Sequence, residues 1–195
     1  MFYKGRKLVF QEKGFSLLEI IFSAGIISVA TVSMLLLFGY NLRTSIDNKN
    51  KLIATYLAQE AIEIVRQHRD NNLFHGTGWN QDFGDTEGNE VVSVLNDNDD
   101  IRKGWKIKKV DYSWEKKVYK KTGQDYYVQS ETDLSSVSGW KYTGFERVLR
   151  IRENDSSGTV SGCLDAVDCM EVTSYVYFNG VEIAKVTTYL YGGWY

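Results

Sequence analysis

Phe15 to Tyr40 reads FSLLEIIFSAGIISVATVSMLLLFGY, a run whose single ionisable side chain is Glu19. A membrane-crossing helix needs about 20 apolar residues, so this run is long enough to cross with some tilt. The rest of the chain differs in character. Over all 195 residues the mean hydropathy is −0.31, charged residues make up 25% and the net charge is −2. These values exclude a disordered chain, a polytopic membrane protein and a strongly basic nucleic-acid binder. Proline is absent, although average usage would supply roughly ten, so nothing blocks a long uninterrupted helix.

Working outward toward the start, residues 1 to 14 (MFYKGRKLVFQEKG) carry Lys4, Arg6, Lys7 and Lys13 against Glu12, a net of +3. The positive-inside rule keeps this end cytoplasmic and exports the C-terminal bulk. An ordinary secretory signal places a short apolar core before a small-residue cleavage site. Here the apolar run is too long, has no Ala-x-Ala site at its end, and follows directly on Lys13-Gly14-Phe15-Ser16-Leu17-Leu18-Glu19.

A basic leader, a glycine, a phenylalanine, and a lone glutamate at the fifth position of an apolar helix resemble the type IV pilin family. Type IV pilins and type II secretion pseudopilins share this class III signal. The resemblance is specific over residues 13 to 40 and general beyond them. It implies that a membrane prepilin peptidase cuts after Gly14 and that the new amino terminus, Phe15, is N-methylated. It also implies partners, namely other pilin or pseudopilin subunits and an inner-membrane assembly platform, and a location in the cytoplasmic membrane and then in a filament. Physically, an acid in the bilayer core costs about 2.5 to 3.5 kcal/mol on insertion scales, so Glu19 needs a partner or an interface. The amine of Phe15 lies one helical turn away in the same chain. The resemblance implies instead an assembly contact, in which Glu19 meets the terminal amine of a neighbouring subunit.

Past Tyr40 the helical pattern becomes amphipathic. Leu42, Ile46, Ile53, Leu57, Ala61, Ile64 and His68 recur near a period of 3.6, with Arg43, Asp47, Lys49, Glu60, Glu63 and Arg66 on other faces. The spacing predicts one helix from Phe15 to a stop at Asn71-Asn72, about 85 Å long at 1.5 Å per residue. Many major pilins carry a proline in the apolar half; here only Gly25 and Gly39 could loosen it.

Residues 73 to 195 read as a β-rich head. From Trp105 the side chains alternate, and a β-bulge at Lys108-Lys109 would bring Trp105, Ile107, Val110, Tyr112 and Trp114 to one face. Phe145 to Arg152 (FERVLRIR) is a strand candidate. EVTSYVYF (171–178) and VEIAKVTTYLY (181–191) flank Asn179-Gly180, a type I′ hairpin signal. The expected fold is α+β and pilin-like, with about four antiparallel strands laid on the amphipathic half of the helix. Its segments are a removable leader (1–14), a membrane or filament-core half (15–40), an amphipathic half (41–72) and the head (73–195). The Gly-Gly-Trp-Tyr end adds a looser likeness to minor pilins of the pilus-modification type.

Cys163 and Cys169 are the only cysteines and face an oxidising exterior in this topology, which favours a bridge over two free thiols. His68 and His75 have no cysteine near them in sequence, so no zinc site is expected. No serine, histidine and acid constellation suggests a triad, so the reading is of a structural subunit rather than an exported enzyme, with no cofactor. The acidic stretches 82–90 and 96–100 lack the ligand order of an EF-hand and read as solvated loops rather than calcium sites.

Residues 102 to 121 hold nine lysines and arginines against Asp111 and Glu115, a net of +7. Lys106, Lys108, Lys109, Lys116 and Lys117, interleaved with Trp105, Tyr112, Trp114 and Tyr119, have the composition of an adhesive or DNA-capturing surface. The same pattern equally describes a hairpin with buried aromatics and solvated lysines.

Overall fold

A computed structural model describes Gly14, residues 16–81, Phe83, residues 89–95, 105–124 and 126–153, Val160, Cys163 and residues 168–192. The leader residues 1–13, Phe15, most of the two acidic stretches, Arg102, Lys103 and the final three residues fall outside that set. Two compact units are present, one ending at Asp47 and one beginning at Asn48.

Helix α1 runs Leu17–Phe74. Among the described residues of the first unit its apolar side chains are uncovered: Leu17, Phe22, Ile26, Leu36 and Phe38 are all more than 60% exposed. Gly25 and Gly39 lie within the unbroken helix. In the second unit α1 buries Ala54, Leu57, Ala58, Ala61, Ile62, Ile64 and Val65. Leu57, Ala61 and Ile64 of the expected stripe are among them, and Ile53 packs beside them, while the stripe is widened by alanines the spacing did not single out. Leu42 and Ile46 are exposed, and the contact face is built on three fully buried alanines. Small side chains let a sheet approach the helix backbone, so here alanine marks the interface better than the larger apolar residues do.

The helix also ends later than expected. Asn71 and Asn72 remain helical, and the stop is Gly76, whose φ of +69° is the left-handed conformation that favours glycine. Its N–H donates to the Leu73 carbonyl. The Asn72 side chain, instead of breaking the helix, donates to the Gln81 carbonyl at 2.9 Å and holds the following loop.

The described residues form one sheet of seven strands, not four: β1 (Glu90–Leu95), β2 (Trp105–Lys109), β3 (Lys117–Lys121), β4 (Tyr127–Val128), β5 (Trp140–Glu153), β6 (Cys169–Phe178) and β7 (Val181–Tyr191). All pairings are antiparallel. β5 is the organising strand. Its start pairs with β3 and its end with β1 on one edge, while β6 lies along the other. The β6–β7 hairpin turns at Asn179 and Gly180 with φ of 50° and 81°, as the type I′ signal requires.

One face of the sheet packs on α1. Phe145, Val118 and Val176 meet Ala54, Leu57 and Ala58, while Leu149, Ile151, Val172 and Met170 meet Ala61, Ile62 and Val65. The expected bulge at Lys108-Lys109 is absent. β2 pairs with β1 in unbroken register and ends at Lys109. The chain then leaves the sheet through a 3₁₀ turn at Ser113–Lys116, so Tyr112 and Trp114 stack on each other with ring centres 4.3 Å apart instead of continuing the strand.

Candidate functional site

The apolar segment begins at Ser16, whose carbonyl accepts from the N–H groups of Glu19 and Ile20. Glu19 therefore lies in the first turn, where the helix dipole favours a negative charge. Three hydroxyls further on are turned back onto the helix: Ser28, Thr31 and Ser33 donate to the carbonyls of Ala24, Ile27 and Val29 at 2.7, 2.7 and 2.9 Å. Such back-bonding satisfies a polar side chain without an external partner. Among the described residues α1 is the one helix long and apolar enough to cross a membrane.

In the head, three of the five candidate surface lysines are held by carboxylates. Lys106 pairs with Glu131 at 2.8 Å, Lys116 with Glu90, and Lys108 with Glu115 at 2.8 Å and Asp111 at 3.1 Å. Lys117 sits 5.6 Å from the ring centre of Tyr142, and Lys109 is exposed. Of the interleaved aromatics, Tyr119 is buried and donates its hydroxyl to Asp133 at 2.8 Å. Three of the five candidate lysines are therefore paired within the fold.

Glu115 is only 1% exposed. Burial pushes its carboxyl up, but the Lys108 ammonium and the N–H groups of Tyr112 and Asp111 outweigh that and hold its pKa below the usual carboxylate range. The 3₁₀ turn thus closes around a buried anion that anchors the end of β2.

A second buried ion was not anticipated. Arg147 of β5 is 1% exposed and lies between the sheet and α1. Its Nε donates to Gln129 Oε1 at 2.8 Å, Nη2 to Ser93 Oγ at 2.9 Å, and Nη1 to the Leu57 carbonyl at 3.0 Å and Glu60 Oε2 at 3.2 Å. Burial pulls its pKa down, opposed by the attraction of Glu60. Gln129 in turn donates to the carbonyls of Glu115, Lys116 and Arg147. A signal for this was present: Phe145, Arg147, Leu149 and Ile151 share one period-two phase, so the arginine occupies a core-facing position.

Cys163 and Cys169 are bridged, with Cα atoms 5.9 Å apart. Cys169 opens β6 and is fully buried, so the bridge ties the preceding loop to the sheet. Phe15, the position expected to be the cleavage and methylation site, lies outside the described residues, and Gly14 beside it is exposed.

Comparison with protein-family models, curated proteins and solved structures found no match. What the coordinates show is a helix-plus-sheet architecture generically similar to type IV pilin-like proteins, with an apolar helical segment of membrane-spanning length at its N-terminal side.

Proposed function

We propose that this chain is a structural subunit of a type IV pilus or related filament system, a minor pilin-like protein. It is cut by prepilin peptidase after Gly14, N-methylated at Phe15, anchored in the cytoplasmic membrane with its head exported, and assembled through its N-terminal helix. The role is to supply contacts and surface, not catalysis. The observation that carries this reading is the exposed apolar stretch of α1, with Glu19 the one acid in its first turn, continuing as the helix that bears the head's sheet. Sequencing the mature amino terminus and fractionating sheared filaments against membranes tests it. N-methyl-Phe15 and recovery in the sheared fraction are expected, whereas an intact leader on mature protein overturns it. A pseudopilin of a type II secretion system is the alternative within the same class.

The pairing of Lys106, Lys108 and Lys116 with carboxylates supports structure over an adhesive or DNA-uptake surface at that block. Retention of the protein on DNA at low salt, lost steeply as salt rises, would reinstate the latter.

A further inference from the structure

Among the described residues, β2, β4 and β7 have a neighbouring strand on one side only. An unpaired edge presents alternate backbone N–H and C=O groups to solvent and templates pairing with another chain, so folded proteins keep such edges short, charged or bent. β4 is two residues long, and β2 is five with Lys106, Lys108 and Lys109 among them. β7 has neither defence. It runs 11 residues, Val181–Tyr191, with Glu182 and Lys185 as its charges and no proline.

A register shift disturbs β7 between Glu182, opposite Tyr177, and Ala184, opposite Val176; from Ala184 to Tyr191 the pairing with β6 is unbroken. Along that stretch the side chains alternate. Ala184, Val186 and Leu190 pack on the core clusters that α1 completes, whereas Lys185, Thr187 and Tyr189 are exposed. No inward-pointing charge bars a further strand there.

The ligand that matches a row of alternating backbone donors and acceptors is another extended backbone. Lys185 sets its charge. The Lys185 ammonium lies 5.3 Å from the Tyr175 ring centre, and the Arg150 guanidinium lies 5.3 Å from the same centre. Arg150 has Glu90 at 3.4 Å, but none of the described carboxylates forms an ion pair with Lys185. Val148, Tyr175 and Lys185 form one cross-strand row, which an acid on an added strand would complete favourably and a lysine would not. Glu182 lies in a different row, beyond the shift. A second copy of β7 carries no acid between Ala184 and Tyr191 to meet Lys185, so the complement is a different segment.

We propose that β7 takes up an extended segment of another protein as an eighth, antiparallel strand, with apolar side chains on its inward face and an aspartate or glutamate opposite Lys185. The contact does not depend on the membrane-anchor reading, because every residue in it lies in the second unit.

The test follows amide hydrogen exchange in β7 by mass spectrometry, on the full chain in detergent micelles. The probes are three synthetic peptides as long as β7. The first alternates valine and threonine with one threonine replaced by glutamate, the second carries lysine in place of that glutamate, and the third is the glutamate peptide methylated on its backbone nitrogens. Exchange in β7 is expected to slow about tenfold with the glutamate peptide, less with the lysine peptide and not at all with the methylated one. Lys185→Glu should reverse the order of the first two. Unchanged exchange with the glutamate peptide at millimolar concentration overturns the proposal. Equal slowing by the methylated peptide assigns the contact to side chains alone and overturns it too. Slowing that grows with protein concentration in the absence of peptide assigns the edge to a second copy, with the same result.

Discussion

Nη1 of Arg147 donates to the backbone carbonyl of Leu57 at 3.0 Å, joining the central strand to the helix through a guanidinium that solvent does not reach. A helix carbonyl has a second lone pair available after its own ladder bond. Replacing Arg147 by alanine leaves Ser93 and the Gln129 carbonyl oxygen without this donor inside the core. The expected loss is about 3 to 5 kcal/mol, read as a lower urea midpoint. Arg147→Met retains most of the volume, so a smaller loss in that variant would assign the remainder to cavity formation.

Lowering the pH should weaken the head. Glu115 is held below its ordinary pKa by Lys108 and two N–H donors against the opposing effect of burial, Glu90 by Lys116 and Arg150, and Asp133 at about 2, chiefly by Ser135. Because these folded-state values are depressed, their stabilisation is complete above the ordinary carboxylate range and is lost as pH falls through that range toward the folded values. The melting temperature should fall progressively below about pH 4.5, and Glu115→Gln should flatten part of that fall. Tyr119 works in the opposite sense. Burial raises its phenol to about 12, so its contribution is intact below the unfolded tyrosine value and lost as pH rises above it.

The Cys163–Cys169 bridge closes a loop with a sequence separation of only six. Chain-entropy arithmetic gives about 2 kcal/mol for so short a loop. Reduction should therefore lower the stability of the head by about that amount without unfolding it, since the core beneath α1 does not depend on the bridge. Denaturation with and without reductant measures the difference.

Gly192 marks a close approach. A Cβ placed there would lie 2.5 Å from Nε1 of Trp79, while its N–H donates to the Asp168 carbonyl at 2.9 Å. Gly192→Ala must displace the indole, which packs on the core beneath α1. The expected cost is about 1 to 3 kcal/mol, accompanied by a shift in tryptophan fluorescence.

Glu19→Ala should leave cleavage and membrane insertion unchanged and impair incorporation into filaments. Normal incorporation of the variant in a sheared-filament assay would remove the proposed assembly role of the carboxylate.

The parts of this fold legible in the sequence were those written locally. The apolar segment declares itself by composition, and the terminal hairpin by Asn179-Gly180 between two alternating runs. What failed was non-local. Nothing in residues 105–114 announces that β2 stops at Lys109, because the stop depends on the buried Glu115 capturing Lys108 and two backbone N–H groups. The strand count was low because β5 accepts two different hairpins end to end on one edge, which is a property of pairing rather than of any one segment. Lys106, Lys108 and Lys116 formed a basic block in sequence, but Glu131, Glu115 and Glu90 reach them only through the fold.

The back-turned hydroxyls of Ser28, Thr31 and Ser33 bear on transfer thermodynamics. Since each already has its acceptor within α1, moving this segment from lipid tails to an apolar protein environment breaks no side-chain hydrogen bond at these three positions. The exchange then turns on packing and on the single charge of Glu19, so that one carboxylate can bias a choice between two solvents that the rest of the segment meets almost alike.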